Sequence, residues 1–133
     1  LIKNDSDKSF FWIGQELPFR WIAVNWRDGN HFSKEDALEY LQEFPQEHFS
    51  SIRYNQDYLN IEFDDFNNES AYRVFGLWES IDDAKGGPFQ GYIFYDYEND
   101  RTFYISYIVF NPGGKKAFYM RQMEMIAKTI DIN

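Results

Sequence analysis

The sequence predicts an α+β fold: a mainly antiparallel sheet of about five to seven strands with two helices packed on it, in the order β-β-α-β-β-β-β-α. Segments rich in Phe, Tyr, Ile and Val are separated by turn signals, which is the pattern of short antiparallel strands. Residues 33–44 and 115–129 instead place apolar side chains at helical spacing. The length of 133 residues suits one hydrophobic core.

The first elements are a hairpin and a helix. Residues 9–14 and 18–26 read as two strands joined by a turn at 14–18. The Ser33 hydroxyl can accept the backbone N–H of the residue three positions later, which marks a helix start. Because Pro45 lacks an N–H, we expect the helix to end at Phe44, with Ala37 and Leu41 facing the core beside Phe44.

The middle of the chain contributes the next strands and a loop. Residues 58–64 alternate with period two, placing Leu59, Ile61 and Phe63 on one buried face. A short strand at 51–54 is expected to pair with this segment, and residues 70–79 form the following strand. The glycines and proline within 82–88 predict a loop, because such residues suit neither a helix nor a strand ladder.

The last elements are a second hairpin and a helix. Residues 89–97 and 102–110 form the hairpin, and a two-residue turn at 99–100 would place Tyr95 opposite Tyr104. The strand 102–110 is apolar on both faces and is therefore expected at the centre of the sheet, ending at 111–114. The helix 115–129 should cover the sheet with the residues spaced i, i+4, i+7 and i+11, namely Tyr119, Met123, Ile126 and Ile130.

Four segments of the second half resemble a known family. They are Gly-Leu-Trp-Glu at 76–79, Gly-Gly-Pro-Phe at 86–89, Val-Phe-Asn-Pro at 109–112 and Arg-Gln-Met-Glu-Met-Ile at 121–126. Together they resemble the C-terminal part of the domain of unknown function 4837 family over about residues 70–130. Two positions depart from that pattern, since Phe75 stands where the family has Arg and Lys85 where it has Met.

The resemblance implies an uncharacterised Bacteroidetes lipoprotein of the cell envelope, periplasmic or surface-exposed, with no established activity. Its lipid-bearing cysteine would lie outside this segment, so membrane contact would occur only through that anchor. The chain begins at Leu1 rather than Met, and we expect residues 1–133 to be a single domain, the C-terminal part of a longer protein. The element order is also similar to a PsbP/Mog1-like sandwich, an analogy that says little about function.

Charge and composition exclude several classes of function. A net charge of −9 would repel nucleic acid and anionic membranes. The absence of cysteine rules out a disulfide scaffold, a thiolate zinc site and a cysteine nucleophile. His31 and His48 lie far apart in polar contexts and are interpreted as surface residues. We therefore expect no cofactor and no metal site.

The glycine-rich segment is the candidate site. Gly86 and Gly87 would let a ligand approach the backbone, with Trp78 and Tyr92 as stacking surfaces. Arg73 or Arg121 would then bind an anionic group of that ligand. The alternative, which we favour, is a tight turn with positive φ and Trp78 packed beneath it.

Three functions remain open. The first is a non-catalytic domain that binds a protein, peptide or glycan through the glycine segment and exposed aromatic side chains. The second is a glycosidase-like hydrolase that uses the paired carboxylates Asp64-Asp65 and Asp82-Asp83. The third is a purely structural assembly module. The lack of a recognisable nucleophile and base favours the first.

Overall fold

A computed structural model describes residues 2–5, 10–15, 19–48, 51–82, 84–110 and 116–130. In this part the chain forms eight strands, two α-helices and a short 3-10 turn at Gln56–Tyr58. In chain order the strands and helices are β1 (Ile2–Asp5), β2 (Phe10–Gln15), β3 (Phe19–Asp28), α1 (Lys34–His48), β4 (Ile52–Tyr54), β5 (Asn60–Phe66), β6 (Glu69–Ser80), β7 (Gly86–Asp96), β8 (Arg101–Phe110) and α2 (Ala117–Ala127).

All the described strands form one antiparallel sheet, which confirms the α+β class and the order of the main elements. The strand order is β1-β2-β3-β8-β7-β6-β4, and β5 also pairs with β6. Strand β1 was not predicted and adds an edge next to β2. Residues 16–18 of the first predicted turn and the predicted strand end at 111–114 lie outside the described residues.

Strand β8 lies at the centre of the sheet, between β3 and β7, as its two apolar faces predict. Residues 102–109 are all buried. Because successive side chains of a strand point to opposite faces, β8 contributes to two core layers. Tyr104 and Ile108 join the layer under α1, whereas Phe103 and Ile105 join the layer under α2. The helices therefore cover opposite faces.

Helix α1 starts as predicted but extends further. The Ser33 hydroxyl accepts the Asp36 N–H at 3.1 Å, and Leu41 and Phe44 are buried with Ala37. The prediction that the helix ends at Phe44 is wrong, because it continues through Pro45 to His48. Pro45 removes one backbone hydrogen bond, but it is buried together with Phe44, and this packing offsets the loss.

Helix α2 lies across β8 and buries Met123 and Ala127. Tyr119 and Ile130 pack partly against the same layer, but Ile126, predicted to face the core, is 42 % exposed. Ala127 takes the inward position because its small side chain lets the helix approach the sheet. Across the described residues, no helix combines the length and the apolar character that crossing a bilayer requires.

The second hairpin forms with a register two residues away from the predicted one. Residues 97–100 make a four-residue turn, so that Tyr95 lies opposite Thr102 and Asp96 opposite Arg101. The Asp96 carboxylate accepts hydrogen bonds from Asn99 Nδ2 at 3.0 Å and from the Glu98 N–H at 3.2 Å. These bonds stabilise the longer turn. A shift by two leaves each side chain on its predicted face.

Strand β6 is long enough to bind two short strands along one edge. Its first part pairs with β5 and its last part with β4, so the predicted pairing of β4 with β5 is wrong. Leu59 and Ile61 pack partly against the core, as expected. Phe63, predicted to be buried with them, is 69 % exposed, because β5 lies at the margin beyond the cover of α1.

Candidate functional site

The glycine pair that was predicted to form a loop lies inside β7. Gly86 pairs with Glu79, Gly87 with Trp78 and Pro88 with Leu77 in the ladder with β6. Neither glycine has a positive φ, so the tight-turn explanation is also wrong in that respect. Glycine is needed at these strand positions for another reason.

Gly87 provides room for a buried tryptophan. A Cβ atom on Gly87 would lie 2.5 Å from the Val109 carbonyl oxygen and 3.1 Å from Trp78 Nε1. The indole N–H of Trp78 donates to that same carbonyl over 3.4 Å. A Cβ on Gly86 would lie 2.7 Å from the Trp78 carbonyl oxygen. The glycines therefore allow Trp78 to pack against the backbone of neighbouring strands.

Tyr92 and Arg73 pair across β6 and β7 on the side of the sheet that faces α2. The Tyr92 hydroxyl donates to Glu124 Oε1 at 2.8 Å. Burial, together with this hydrogen bond and the charge of Glu124, raises the pKa of Tyr92 to about 12. Arg73 Nη1 lies 3.5 Å from Glu62 Oε2, and Arg121 is exposed one helical turn before Glu124.

The residues predicted to form one site are therefore divided. Trp78 belongs to the core layer under α1 and Tyr92 to the layer under α2, so the sheet separates the two rings. Gly87 pairs with Trp78, whereas Arg73 and Arg121 belong to the α2 side. No single ligand could contact both rings without passing through the sheet.

Asp64 and Asp82, one from each acidic pair of the hydrolase hypothesis, are also far apart. Asp64 of β5 lies opposite Ala71 near the start of β6, whereas Asp82 follows the end of β6 at Ser80. Ala71 and Ser80 are nine residue steps apart along the strand, which is about 30 Å at roughly 3.3 Å per step. Asp83 lies outside the described residues. Asp64 and Asp82 therefore do not face each other across a cleft.

A cavity of about 170 Å³ lies between the first turns of α1 and the sheet. We call it the α1 cavity. Its lining comes from α1, from strands β3, β7 and β8 and from the β3–α1 connection: Arg27, His31, Asp36, Ala37, Glu39, Tyr40, Ile93, Thr102, Phe103 and Tyr104. The apolar members are buried, whereas Glu39 and His31 are exposed. The cavity thus has an apolar interior and a polar rim.

Thr102 holds the β3–α1 connection against β8. Its hydroxyl accepts the His31 N–H at 2.9 Å and donates to the Gly29 carbonyl at 2.8 Å. Gly29 has a φ of 88°, a left-handed conformation that glycine adopts without strain, and its N–H donates to the Asp100 carbonyl at 2.7 Å. This network fixes the position of His31 at the rim of the cavity.

A cation already packs on an aromatic wall of the α1 cavity. The Arg27 guanidinium lies 4.3 Å from the centroid of the Tyr40 ring. Arg27 Nη2 also lies 3.1 Å from Glu43 Oε2, so a carboxylate neutralises it from the side. The arrangement combines an aromatic face and a carboxylate around one positive group.

Tyr104, which lines the cavity, pairs with Tyr54 behind it, and both hydroxyls stay uncharged. The Tyr104 hydroxyl lies 3.1 Å from the Tyr54 hydroxyl, and both side chains are buried. Burial raises the pKa of Tyr104 and of Tyr54 well above their ordinary value. Within the described residues, no three acidic or histidine side chains are placed to hold a metal ion.

An aromatic strip, formed by Phe32, Tyr72 and Phe63, adjoins the α1 cavity. The ring centroids of Phe32 and Tyr72 lie 4.7 Å apart, and those of Phe63 and Tyr72 lie 5.9 Å apart. Tyr72 is the cross-strand neighbour of Ile93, which lines the cavity, and Phe32 follows His31 at the rim. Cavity and strip therefore form one continuous surface.

Sequence reasoning missed this surface. Its members come from positions 27–40, 63, 72 and 93–104, and no local motif joins them. The alternation in β5 identified Phe63 as apolar but placed it in the core, whereas it is exposed. His31, interpreted as a surface residue, does lie at the surface, but beside the cavity. His48 is the last residue of α1.

A family model with the description Domain of unknown function (DUF4837) matches residues 2–129. No curated protein and no solved structure matches the chain. The family match covers nearly the whole chain, including every described element up to and including α2.

Proposed function

The chain belongs to the family Domain of unknown function (DUF4837). From the α1 cavity and the aromatic strip beside it, we propose that it is a non-catalytic binding domain. Its ligand lies over the aromatic strip and places one chemical group in the α1 cavity. An extended peptide, a segment of a protein or a glycan would fit this description. The notion of a glycine-centred site is replaced by this surface, because the glycines serve the packing of Trp78.

The observation that carries the proposal is the continuity of the α1 cavity with the aromatic strip. An apolar cavity of about 150 Å³ can hold one benzene ring, so a cavity of about 170 Å³ accommodates one side chain or ring rather than a whole ligand. The rest of the ligand must therefore contact the neighbouring surface. Phe63, which is 69 % exposed, and its partner Tyr72 supply apolar area for that contact.

The arrangement of carboxylates supports binding over glycoside hydrolysis. Asp36 and Glu39 are the two acids that line the α1 cavity, and they stand three positions apart on one helix. Side chains with this spacing lie next to each other on one wall. Hydrolysis of a glycosidic bond needs carboxyl groups on opposite sides of that bond. Asp64 and Asp82, which belong to the other two acidic pairs, stand about 30 Å apart along β6.

We also propose that the domain acts in the bacterial cell envelope and is lipid-anchored through a segment outside this chain. The support is the family resemblance of residues 70–130, together with the family match. A net charge of −9 is consistent with partners other than nucleic acid or an anionic lipid surface.

Replacing Phe63 tests the binding surface. A panel of extended pentapeptides and linear oligosaccharides is screened by chemical-shift changes at the Ile93 and Thr102 amides. For a probe that binds, Phe63→Ala should weaken affinity roughly fivefold, because an aromatic contact contributes about 0.5–1.5 kcal/mol. Met125→Ala is the matched control, since Met125 is similarly exposed at 71 % but lies on α2, on the opposite face.

Two results would contradict the proposal. Binding that both variants leave unchanged would place the ligand elsewhere. Turnover of a probe that is lost in Asp36→Asn would show that the surface is catalytic.

A further inference from the structure

We propose, building on the binding function above, that the ligand is an extended polypeptide and that the group entering the α1 cavity is a lysine or arginine side chain. Its aliphatic stem lies against Ile93 and Ala37, and its positive head reaches Asp36 and Glu39 on the helix wall. Three independent features of the described residues carry this inference: the chemistry of the cavity walls, the cation already present there, and the charge of the surrounding surface.

The walls of the cavity combine apolar side chains with carboxylates that have no ion-pair partner among the described residues. Ile93 and Ala37 are buried apolar residues, and Tyr104 adds an uncharged ring. Among the described residues, no basic side chain forms an ion pair with Asp36 or Glu39, although both line the cavity. Lysine and arginine side chains carry an apolar stem and a charged head, which matches a wall that changes from apolar to acidic.

Arg27 shows how this cavity accommodates a cation. Its guanidinium packs 4.3 Å from the centre of the Tyr40 ring, with Glu43 at 3.1 Å. An aromatic ring of the cavity wall therefore already holds a positive group, as cation–π sites do, and a carboxylate just outside the lining pairs with it. Two further carboxylates of the same helix, Asp36 and Glu39, line the cavity without such a partner.

The surface around the cavity attracts cations. The nearby end of the sheet carries Asp28 at the end of β3 and Asp96, Glu98 and Asp100 around the β7–β8 turn. Arg101 is the main cation of this turn and lies 3.3 Å from Asp96 Oδ2. A surface with an excess of negative charge raises the local concentration of positively charged ligands and speeds their association.

These features favour a basic peptide over the other two ligand classes. An acidic peptide would face Asp36, Glu39 and the acidic turn, and the nearby Arg27 and Arg101 already pair with Glu43 and Asp96. A neutral glycan could stack on the aromatic strip, but it would leave the cavity carboxylates without a positive partner. A basic side chain would pair with the cavity carboxylates, and the neighbouring peptide residues can lie along Phe32, Tyr72 and Phe63.

The test compares isosteric probes. Acetylated and amidated pentapeptides of Ala with a central Lys, norleucine or Glu are titrated, with a linear oligosaccharide of N-acetylglucosamine, while the Ile93, Thr102 and Tyr104 amides are followed by NMR. We expect the Lys peptide to bind about fivefold more tightly than the norleucine peptide, the gain from two partly exposed ion pairs. This preference should decline as salt is raised.

Variants that remove a carboxylate charge test which residues cause the preference for Lys. The double variant Asp36→Asn/Glu39→Gln should bind the Lys and norleucine peptides equally. Asp82→Asn is the control, because it removes one exposed acid at the other end of β6 and should preserve the preference. Thermal melts of each variant confirm that it is folded, since Asp36 also lies in the first turn of α1.

Each outcome decides between the inference and the function on which it rests. If norleucine or the oligosaccharide shifts the cavity amides with equal or higher affinity than Lys, the surface binds ligands but the basic-peptide inference is wrong. If the Lys preference survives in the double variant, the positive group binds elsewhere and the inference is also wrong. If no probe shifts these amides at about 10 mM, the proposed function fails as well.

Discussion

Replacing Gly87 by Ala should destabilise the fold by about 2 kcal/mol. The new Cβ would lie 2.5 Å from the Val109 carbonyl oxygen, which belongs to the backbone of the central strand and cannot rotate away. Strain of this kind costs about 1–3 kcal/mol. Displacing the Trp78 indole would also weaken its hydrogen bond to Val109, worth about 1 kcal/mol. Alanine also reduces the conformational entropy of the unfolded chain, which stabilises the fold by only about 0.4–1 kcal/mol.

The assay is urea unfolding followed by tryptophan fluorescence, supported by thermal melts. For 133 residues the entropy of unfolding is about 0.28 kcal/mol/K, so a loss of about 2 kcal/mol lowers Tm by about 7 °C. Leu77→Ala, at a more exposed position of the same strand ladder, should change stability much less. A Gly87→Ala protein as stable as the original would refute the packing argument and would reopen the glycine pair as a ligand-binding element.

Two further predictions concern buried tyrosines. Tyr104→Phe should cost about 1–3 kcal/mol in urea unfolding, because it leaves the Tyr54 hydroxyl buried without this partner, and the double variant with Tyr54→Phe should cost less than the sum of the single variants. The pKa of Tyr92 is raised to about 12, so its contribution to stability is complete below about pH 10 and is lost as the pH rises from 10 to 12. Over that interval the unfolding free energy of Tyr92→Phe should fall less steeply than that of the original protein, and parallel profiles would contradict this.

Local pattern was sufficient for most of the elements. The alternation of apolar residues identified β5, neighbouring turn signals identified β6 and β8, and the helical spacing of Ala37, Leu41 and Phe44 identified the buried face of α1. The two apolar faces of β8 were enough to place it at the centre of the sheet. These successes share a cause: side-chain periodicity is set by backbone geometry within a single element.

The boundaries of the elements and the pairing of the strands were harder to predict from the sequence. The extension of α1 through Pro45 depends on packing that reaches across the helix–sheet interface. Two other features depend on which of several alternative hydrogen-bond patterns is most stable in the folded chain. They are the pairing of β4 with β6 and the four-residue turn at 97–100. A proline or a glycine pair gives a local preference, and tertiary contacts can override such a preference when burial offsets its cost.

By itself, the sequence determined the fold class, the central strand, the buried face of α1 and the acidic character that disfavours nucleic acid. Only the tertiary structure decided that Trp78 and Tyr92 lie on opposite sides of the sheet and that Phe32, Tyr72 and Phe63 form a strip beside a cavity. The physical reason is sequence separation: a binding surface is assembled by strand order and register across elements, whereas periodicity reports only on the residues within one of them.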